Sequence, residues 1–546
     1  MSNAAIFTNV AVKTPKRSRF DLSHDVKLST DPGLLTPVMV MDCVPGDSVN
    51  LSAQALVRFS PLVSPLMHRV NVAIHYFFVP NRILWDSWEH FITKTGDPIT
   101  GQQPIMPYIL VGDPVPPVGS LYDFMGLPQK TGSATGAIRI NPLAFAAYQR
   151  IYNDYYRWKG DMSGDIDPNP LEGTLCIDGD NSANFASLIG IKKRGWQHDY
   201  FTSALTASQK GSLVDIPLGD VVLNPAWNSD GQQPGWKDVR DLLPQNDVSA
   251  GARDEHLITP TNASSGGSYR GATASYQQFP PMTSPDLLPL AYDPDGSLIV
   301  QPVTINELRR AESLQTFLEL LARGGSRYTE LVKNFFNTNT GDARVQRSEY
   351  ITGSITPVQI SEVLNTTGES GGLAQGNMAG HAAAVVSGRG GSYFCREHGY
   401  IIGIMSVMPD TAYQQGIPKH YFKFDVEDFF FPQFEGLGEQ PVLNKELVAQ
   451  YDNGDDDDQV FGYLPRYSEY KYIPNRVAGL FKTTLKFWHW GRIFADLPAL
   501  NQDFLDCNPR TDIYAVTDGT ENKLYCHVNN RILANRPMRK YTIPSL

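Results

Sequence analysis

The 546-residue sequence predicts a β-rich core with helices and long loops hung on its connections. Three observations within residues 48–92 carry that expectation. Val49, Leu51, Ala53, Ala55, Val57 and Phe59 alternate with Asn50, Ser52, Gln54, Arg58 and Ser60, the period-2 pattern of a strand with one face inward. Only Leu56 breaks it. After a link through Pro61 and Pro65, Val70, Val72, Ile74, Tyr76 and Phe78 alternate again, but Ala73, Phe77 and Val79 make the other face apolar too, which predicts a strand buried on both faces. Pro80 ends it, and Leu84, Trp88, Phe91 and Ile92 then recur at helical spacing. Phe77 and Val79 need a cover of their own, from the helix that starts at Arg82 or from another insertion.

Taken in order, residues 1–36 show no sustained periodicity, and 1–48 read as an extended basic arm that the turn Val44–Asp47 (VPGD) delivers into the first strand. Residues 96–136 are rich in Pro and Gly and read as a long surface connection. Asn141 followed by Pro142 starts a helix, a capping side chain before a residue whose missing N–H costs nothing there. Its stripe is Ala144, Ala147, Tyr148, Ile151, Tyr155 and Trp158. Residues 194–211 mix aromatic and polar side chains in no readable period. Over 218–298, Gly, Pro, Ser, Asn, Asp and Gln crowd out any alternation, so this reads as one surface insertion, leaving 49–217 and 299–546 as the body.

Order resumes with a helix begun by the capping box Thr304/Glu307, striped by Leu314, Phe317, Leu318 and Leu321 and stopped by Gly324 and Gly325. Residues 326–336 predict a second, short helix with Tyr328, Leu331, Val332 and Phe335 on one side. Residues 350–363 hold short β-compatible runs, 371–391 a flexible Gly-rich passage, and His398–Pro409 a buried strand. The last third is dense in aromatics, suited to a late-assembled core or to an interface between copies.

Composition narrows the function. The chain is 41% hydrophobic and 19% charged, with 39 Pro, 46 Gly and 25 Tyr, which is globular and rich in turns. It has no apolar run of the roughly 20 residues needed to cross a bilayer, and its opening residues lack a signal-peptide core, so neither membrane insertion nor export is expected. Cys43, Cys176, Cys395, Cys507 and Cys526 form no C-x-x-C pair and leave one over, which predicts free thiols in a reducing compartment. Asp455–Asp458 lacks the Gly and Glu positions of a calcium loop and reads as a solvated acidic turn. Cys395 and His398 supply half of a zinc spacing with no second half, and His68 and His75 would point to opposite faces of a strand. Ser387–Ser392 (SGRGGS) lacks the ending of a phosphate loop, and no hydrolase elbow or zincin motif occurs. No catalytic residue, cofactor or metal is expected.

Charge is the stronger signal. The net charge is −11, yet Lys13, Lys16, Arg17 and Arg19 stand near the start and Arg531, Arg536, Arg539 and Lys540 near the end with no acid among them. Without those eight the body carries −19, against +4 at each end. Clustered cations neutralise phosphates without reading sequence, and aromatics stack unpaired bases, so these eight residues are the candidate nucleic-acid contacts; a solubilising tail is the bland alternative.

The ordered blocks together resemble one family. PKRSRFDLSH, the stretch from VPGDSVNLSAQ to WDSWEHF, NPLAFAAYQRIYNDYYR, RGWQHDYFTSAL, INELRRAESLQTFLELLARGG, DARVQRSEYITGS, REHGYIIGIMSVMP, FGYLPRYSEYKY and ANRPMRKY are similar, in order, to the major capsid proteins of the Microviridae, small single-stranded DNA phages, and in particular to the gokushovirus-type branch. The resemblance implies a mainly β fold, a single jelly-roll β-sandwich with long helical and loop insertions, and a structural protein rather than an enzyme. It implies copies that gather through pentamers into a T=1 icosahedral shell around circular single-stranded DNA, with the basic ends on the inner surface. Residues 218–298 would then be a protrusion at the three-fold axes. The implied partners are the chain itself, the genome, a small DNA-binding or pilot protein of the virion, and a host surface receptor such as a glycan. The implied location is the virion, with assembly in the bacterial cytoplasm. The competing expectation is a β-sandwich that binds or hydrolyses polysaccharide, for which no pair of carboxylates is nominated.

Overall fold

Alternation in the sequence becomes two sheets packed face to face. The computed structural model describes residues 16–94, 101–112, 115–129, 136–157, 175–209, 346–364 and 378–541 apart from 389, 452–454 and 517, with four short strands and one helix between 210 and 345. The chain divides into two compact units, Met1–Gly211 with Glu319–Leu546, and Ser212–Leu318.

The first unit opens with β1 (Ser18–Asp21), β2 (His24–Thr30), β3 (Thr36–Cys43), β4 (Ser48–Phe59) and β5 (Val70–Pro80). A small hairpin, β6 (Ile109–Val111) with β7 (Ile138–Ile140), follows. In the second unit β8 (Val221–Leu223) pairs with β11 (Leu298–Val300), and β9 (Ser268–Arg270) with β10 (Tyr276–Gln278). The first unit resumes with β12 (Glu349–Pro357), β13 (Gln359–Leu364), β14 (Met378–Ser387), β15 (Gly391–Phe394), β16 (Gly399–Pro409), β17 (Glu439–Leu443), β18 (Val460–Pro465) and β19 (Leu524–Arg536). A seven-stranded sheet runs β1-β19-β4-β14-β13, with β2 also on β19 and β15 also on β4, and a four-stranded sheet runs β12-β5-β16-β3. Counting β2, β3, β4, β5, β12, β14, β16 and β19 as one to eight, the sheets read 1-8-3-6 and 2-7-4-5, the strand order of a jelly roll.

The core between the sheets takes the inward set of each strand: Val49, Leu51, Ala53, Ala55, Val57 and Phe59 from β4, and Val70, Val72, Ile74, Tyr76 and Phe78 from β5. Leu56, the one break in the β4 pattern, is outward and 39% exposed. The other apolar face of β5 is covered as its sequence requires. Phe77 and Val79 pack with Ile83, Leu84 and Trp85 after the strand and with Phe145, Tyr148 and Ile151 of a helix, Leu143–Ile151. That helix begins where expected, with Asn141 Oδ1 accepting from Leu143 N at 3.0 Å, but after Ile151 it widens into a π-type turn over Tyr152–Tyr156. The helix expected from Arg82 is shorter than its stripe suggests. A 3-10 turn, Asn81–Ile83, precedes a helix of only Trp88–Thr93, and Ile92 is exposed.

Three stretches differ from expectation. Residues 18–43, expected within an extended arm, are β1, β2 and β3, because β19 offers β1 and β2 a ladder and β16 offers one to β3. Of the passage expected as flexible over 371–391, residues 371–377 and 389 lie outside the described residues, and the rest holds β14 and the start of β15. Ala382, Ala384 and Val386 face the core, and Gly380 passes so close to the Ser64 carbonyl that a Cβ would lie 2.2 Å from its oxygen. The basic end expected over 528–546 begins inside β19, Leu524–Arg536, the longest strand of the sheet. Its alternation is masked by Asn530, fully buried, which accepts from the Tyr76 hydroxyl at 3.0 Å and donates to the Val38 carbonyl at 2.8 Å.

The helix from the capping box spans Ile305–Arg323, and its stripe residues Leu314 and Phe317 are 45% and 43% exposed. Thr304, Gly324, Gly325 and the second helix expected at 326–336 lie outside the described residues. Residues 194–205 are a turn around buried Asp199, which accepts from Thr202 N at 2.7 Å and from the Tyr413 hydroxyl at 2.6 Å.

Candidate nucleic-acid interface

The seven-stranded sheet buries one face in the core and leaves the other open. Register fixes what stands side by side on the open face, because directly paired residues of antiparallel strands point the same way. Across β2, β19, β4 and β14 the rows are Ser29–Tyr525–Arg58–Ala383, then Lys27–His527–Leu56–Val385, then Asp25–Asn529–Gln54–Ser387. Arg531 follows opposite Ser52. The last row is Arg19–Asn535–Ser48–Phe394, across β1, β19, β4 and β15.

This face collects part of both basic ends. Arg19 and Arg531 lie on it, and pairing of Ser18 with Arg536 brings the residues before β1 beside those after β19. Lys16, Arg17, Arg539 and Lys540 are exposed beyond these strand ends; the Arg17 guanidinium lies 5.8 Å from the Phe394 ring centre, at the edge of the face, and Lys540 Nζ 6.0 Å from that of Tyr541. Lys13 lies outside the described residues. Two cations absent from the sequence-based set join the face, Lys27 and Arg58, with the aromatic Tyr525 between their strands. Arg58 had a signal in the outward set of β4, whereas Lys27 and Tyr525 had none, because the alternation of β2 and β19 is masked.

The acids of the face are held locally. Asp25 is hydrogen-bonded by the Asn529 amide and lies 3.6 Å from His527 Nε2; the amide first, then His527 and Lys27, hold its carboxyl below the usual range. Asp21 is likewise lowered, by Ser23.

Arg536 is turned the other way. Its guanidinium donates to the Asp42 carbonyl at 2.8 Å and stands 3.4 Å from the carboxylate of Asp47, which has no exposed surface. Burial pushes Asp47 up, and Arg536 opposes that shift. The Val44–Asp47 turn places this carboxylate. Gly46 takes φ +92°, where Gly is favoured, and Asp47 caps the turn by accepting from Val44 N at 3.2 Å. Arg536 is thus a clasp between the sheets, and its cation is spent inside the fold rather than offered to a ligand.

Other chemistry is absent among the described residues. All five cysteines are buried and free, and burial pushes Cys176 and Cys526 up to about 12. Cys395 packs in the core with Cys43 rather than with His398, and His75 is held by Tyr156 while His68 bonds the Asp410 carbonyl. No cluster of three metal-ligating side chains occurs, and no helix is long and apolar enough to cross a membrane.

The fold is thus a jelly-roll sandwich whose open sheet face sets Arg19, Lys27, Arg58 and Arg531 beside Asp21 and Asp25. Residues 8–546 match the phage family described as capsid protein (F protein), and the chain belongs to that family. It is 33% identical to capsid protein VP1 of Chlamydia phage 1, over 99% of this chain and 97% of that one. It is also 33% identical to capsid protein VP1 of Bdellovibrio phage phiMH2K (93% and 91% covered) and 28% identical to that of Spiroplasma virus 4 (97% and 95%). The chain is a Microviridae-type capsid protein, a structural component of the virion and not an enzyme.

Proposed function

We propose that copies of this chain close into a T=1 icosahedral shell, through pentamers formed in the bacterial cytoplasm, around a circular single-stranded DNA genome that meets the open face of the seven-stranded sheet. The observation that carries this reading is that Arg19 and Arg531, one from each basic end, share that face with Lys27 and Arg58, with Arg17 against Phe394 at its edge, in an otherwise acidic chain. Lys13 belongs to the same set by sequence, and a small DNA-binding or pilot protein of the virion would share the interior. The insertion at 218–298 serves as the three-fold protrusion for host attachment, with a surface glycan as receptor.

A preformed apolar lobe supports contact between copies. Lys423, with its side chain 7% exposed, is pinned by Glu469 at 2.9 Å and lies 3.7 Å from the Tyr470 ring centre, while the Tyr467 hydroxyl donates to the carbonyls of Glu427 and Phe429. This fixed frame leaves Phe424 83% and Ile473 87% exposed, with Val426 and Tyr421 close behind. Large apolar side chains held rigidly in the open mark a protein interface. Electron microscopy and sedimentation of the purified protein test the reading. Shells or pentamers are expected, with Phe424→Asp/Ile473→Glu folding normally and staying monomeric. A wild type that stays monomeric under all assembly conditions sinks the proposal. Particles applied to a glycan array test the attachment role.

A further inference from the structure

We propose that the open face carries a defined nucleotide subsite centred on Tyr525, where one unpaired base lies on the phenol ring and the phosphates on either side of it meet Arg58 and Lys27. This rests on the reading that the face meets single-stranded DNA. Tyr525 is 45% exposed, and its direct cross-strand neighbours are Ser29 on β2 and Arg58 on β4. One row along, His527 stands between Lys27 and Leu56. These six residues line an open hollow of about 460 Å³.

The chemistry of this hollow selects its occupant. Its two permanent cations sit on β2 and β4, roughly 12 Å apart on a diagonal across β19 at ordinary strand spacing, and long side chains from both can close toward the ring between them. Asp25, one row beyond Lys27 and hydrogen-bonded by Asn529, keeps its negative charge, but Lys27 and Arg58 outnumber it, so a polyanion meets net positive charge. Leu56 (39% exposed) and Val385 (75%) extend the apolar floor beyond the ring, as a base or sugar edge needs and a free inorganic anion does not. A duplex hides its base faces in the stack, whereas an irregular single strand can lay one on an exposed aromatic. Recognition through a ring face and two phosphates is tolerant of base identity.

Binding of a labelled oligo(dT) and of a duplex of equal length to dissociated full-length subunits, across a salt series, tests the subsite. The wild type is expected to prefer the single strand. Tyr525→Ala is expected to weaken binding by roughly ten- to a hundredfold and Tyr525→Phe to restore it. Arg58→Gln is expected to lower the slope of log affinity against log salt by about 0.7. Unchanged binding by folded Tyr525→Ala, or equal affinity for duplex and single strand, overturns the subsite while leaving the genome-facing reading in place. Failure of the wild type to bind the single strand even at low salt overturns that reading and the subsite with it.

Discussion

The two sheets share one core but meet the rest of the protein in opposite ways. The four-stranded sheet is sealed on both sides at its central strands and open only along the β12 edge, where Tyr350 and Ile355 are exposed: inward residues of β5 and β16 join the sandwich, while Phe77, Val79, Ile402 and Ile404 on the far side are buried under the chain after β5 and the Leu143–Ile151 helix. The seven-stranded sheet is sealed on one side and shows Arg, Lys, Asn, Ser and Tyr on the other. The same kind of backbone therefore serves two ends. One sheet invests its second face in stability, and the other leaves it to solvent.

Substitutions should separate these roles. Phe77→Ala, which empties a site in the covered sheet, should cost about 3–5 kcal/mol, read as a fall in the urea midpoint of isolated subunits. A loss under about 1 kcal/mol would mean the cover is loosely packed. Arg536→Ala leaves buried Asp47 without its cation and should cost about 3 kcal/mol, with Asp47→Asn in the same chain recovering most of it. No recovery would deny the clasp. The acid response should follow His75, stacked on Tyr156 beneath the cover. Burial first, and Arg194 next, hold it down at about 4 from an ordinary 6.5. The unfolded chain takes up this proton first as pH drops, so the contribution of His75 to stability is complete above pH 6.5 and is lost progressively toward pH 4. His75→Gln should flatten that part of the stability–pH curve, and an unchanged slope would move the acid sensitivity elsewhere. Arg58→Gln on the open face should change stability by no more than about 0.5 kcal/mol. A larger loss would make that face structural.

What could be read from the sequence tracks the same division. β4, β5 and β16 were legible because unbroken apolar alternation or a doubly apolar run has one strong explanation, and the need to cover Phe77 followed from β5 alone. β2 and β19 were not, since their outward sets are charged or polar and their inward sets are interrupted by Thr30 and Asn530, which packing satisfies only in three dimensions. β14 hid behind alanines and a glycine that make sense only against the Ser64 backbone. Of the basic residues, charge alone identified the two ends, but it ranked Arg536 with Arg531. Only the register shows that one faces the core side and the other the open side, and that Lys27, Arg58 and Tyr525 complete the group.

The position of β19 sets a timetable for synthesis. Asn529, which bonds Asp25, is added 504 residues after it, and β19 separates β4 from both β1 and β2. Until that segment leaves the ribosome, β1 and β2 have no ladder and one edge of β4 stands open, a slow pairing that exposes the chain to aggregation and to cellular triage. The cationic face does not exist before this last insertion. A nascent or truncated chain would therefore lack that face altogether, and only finished subunits would carry it.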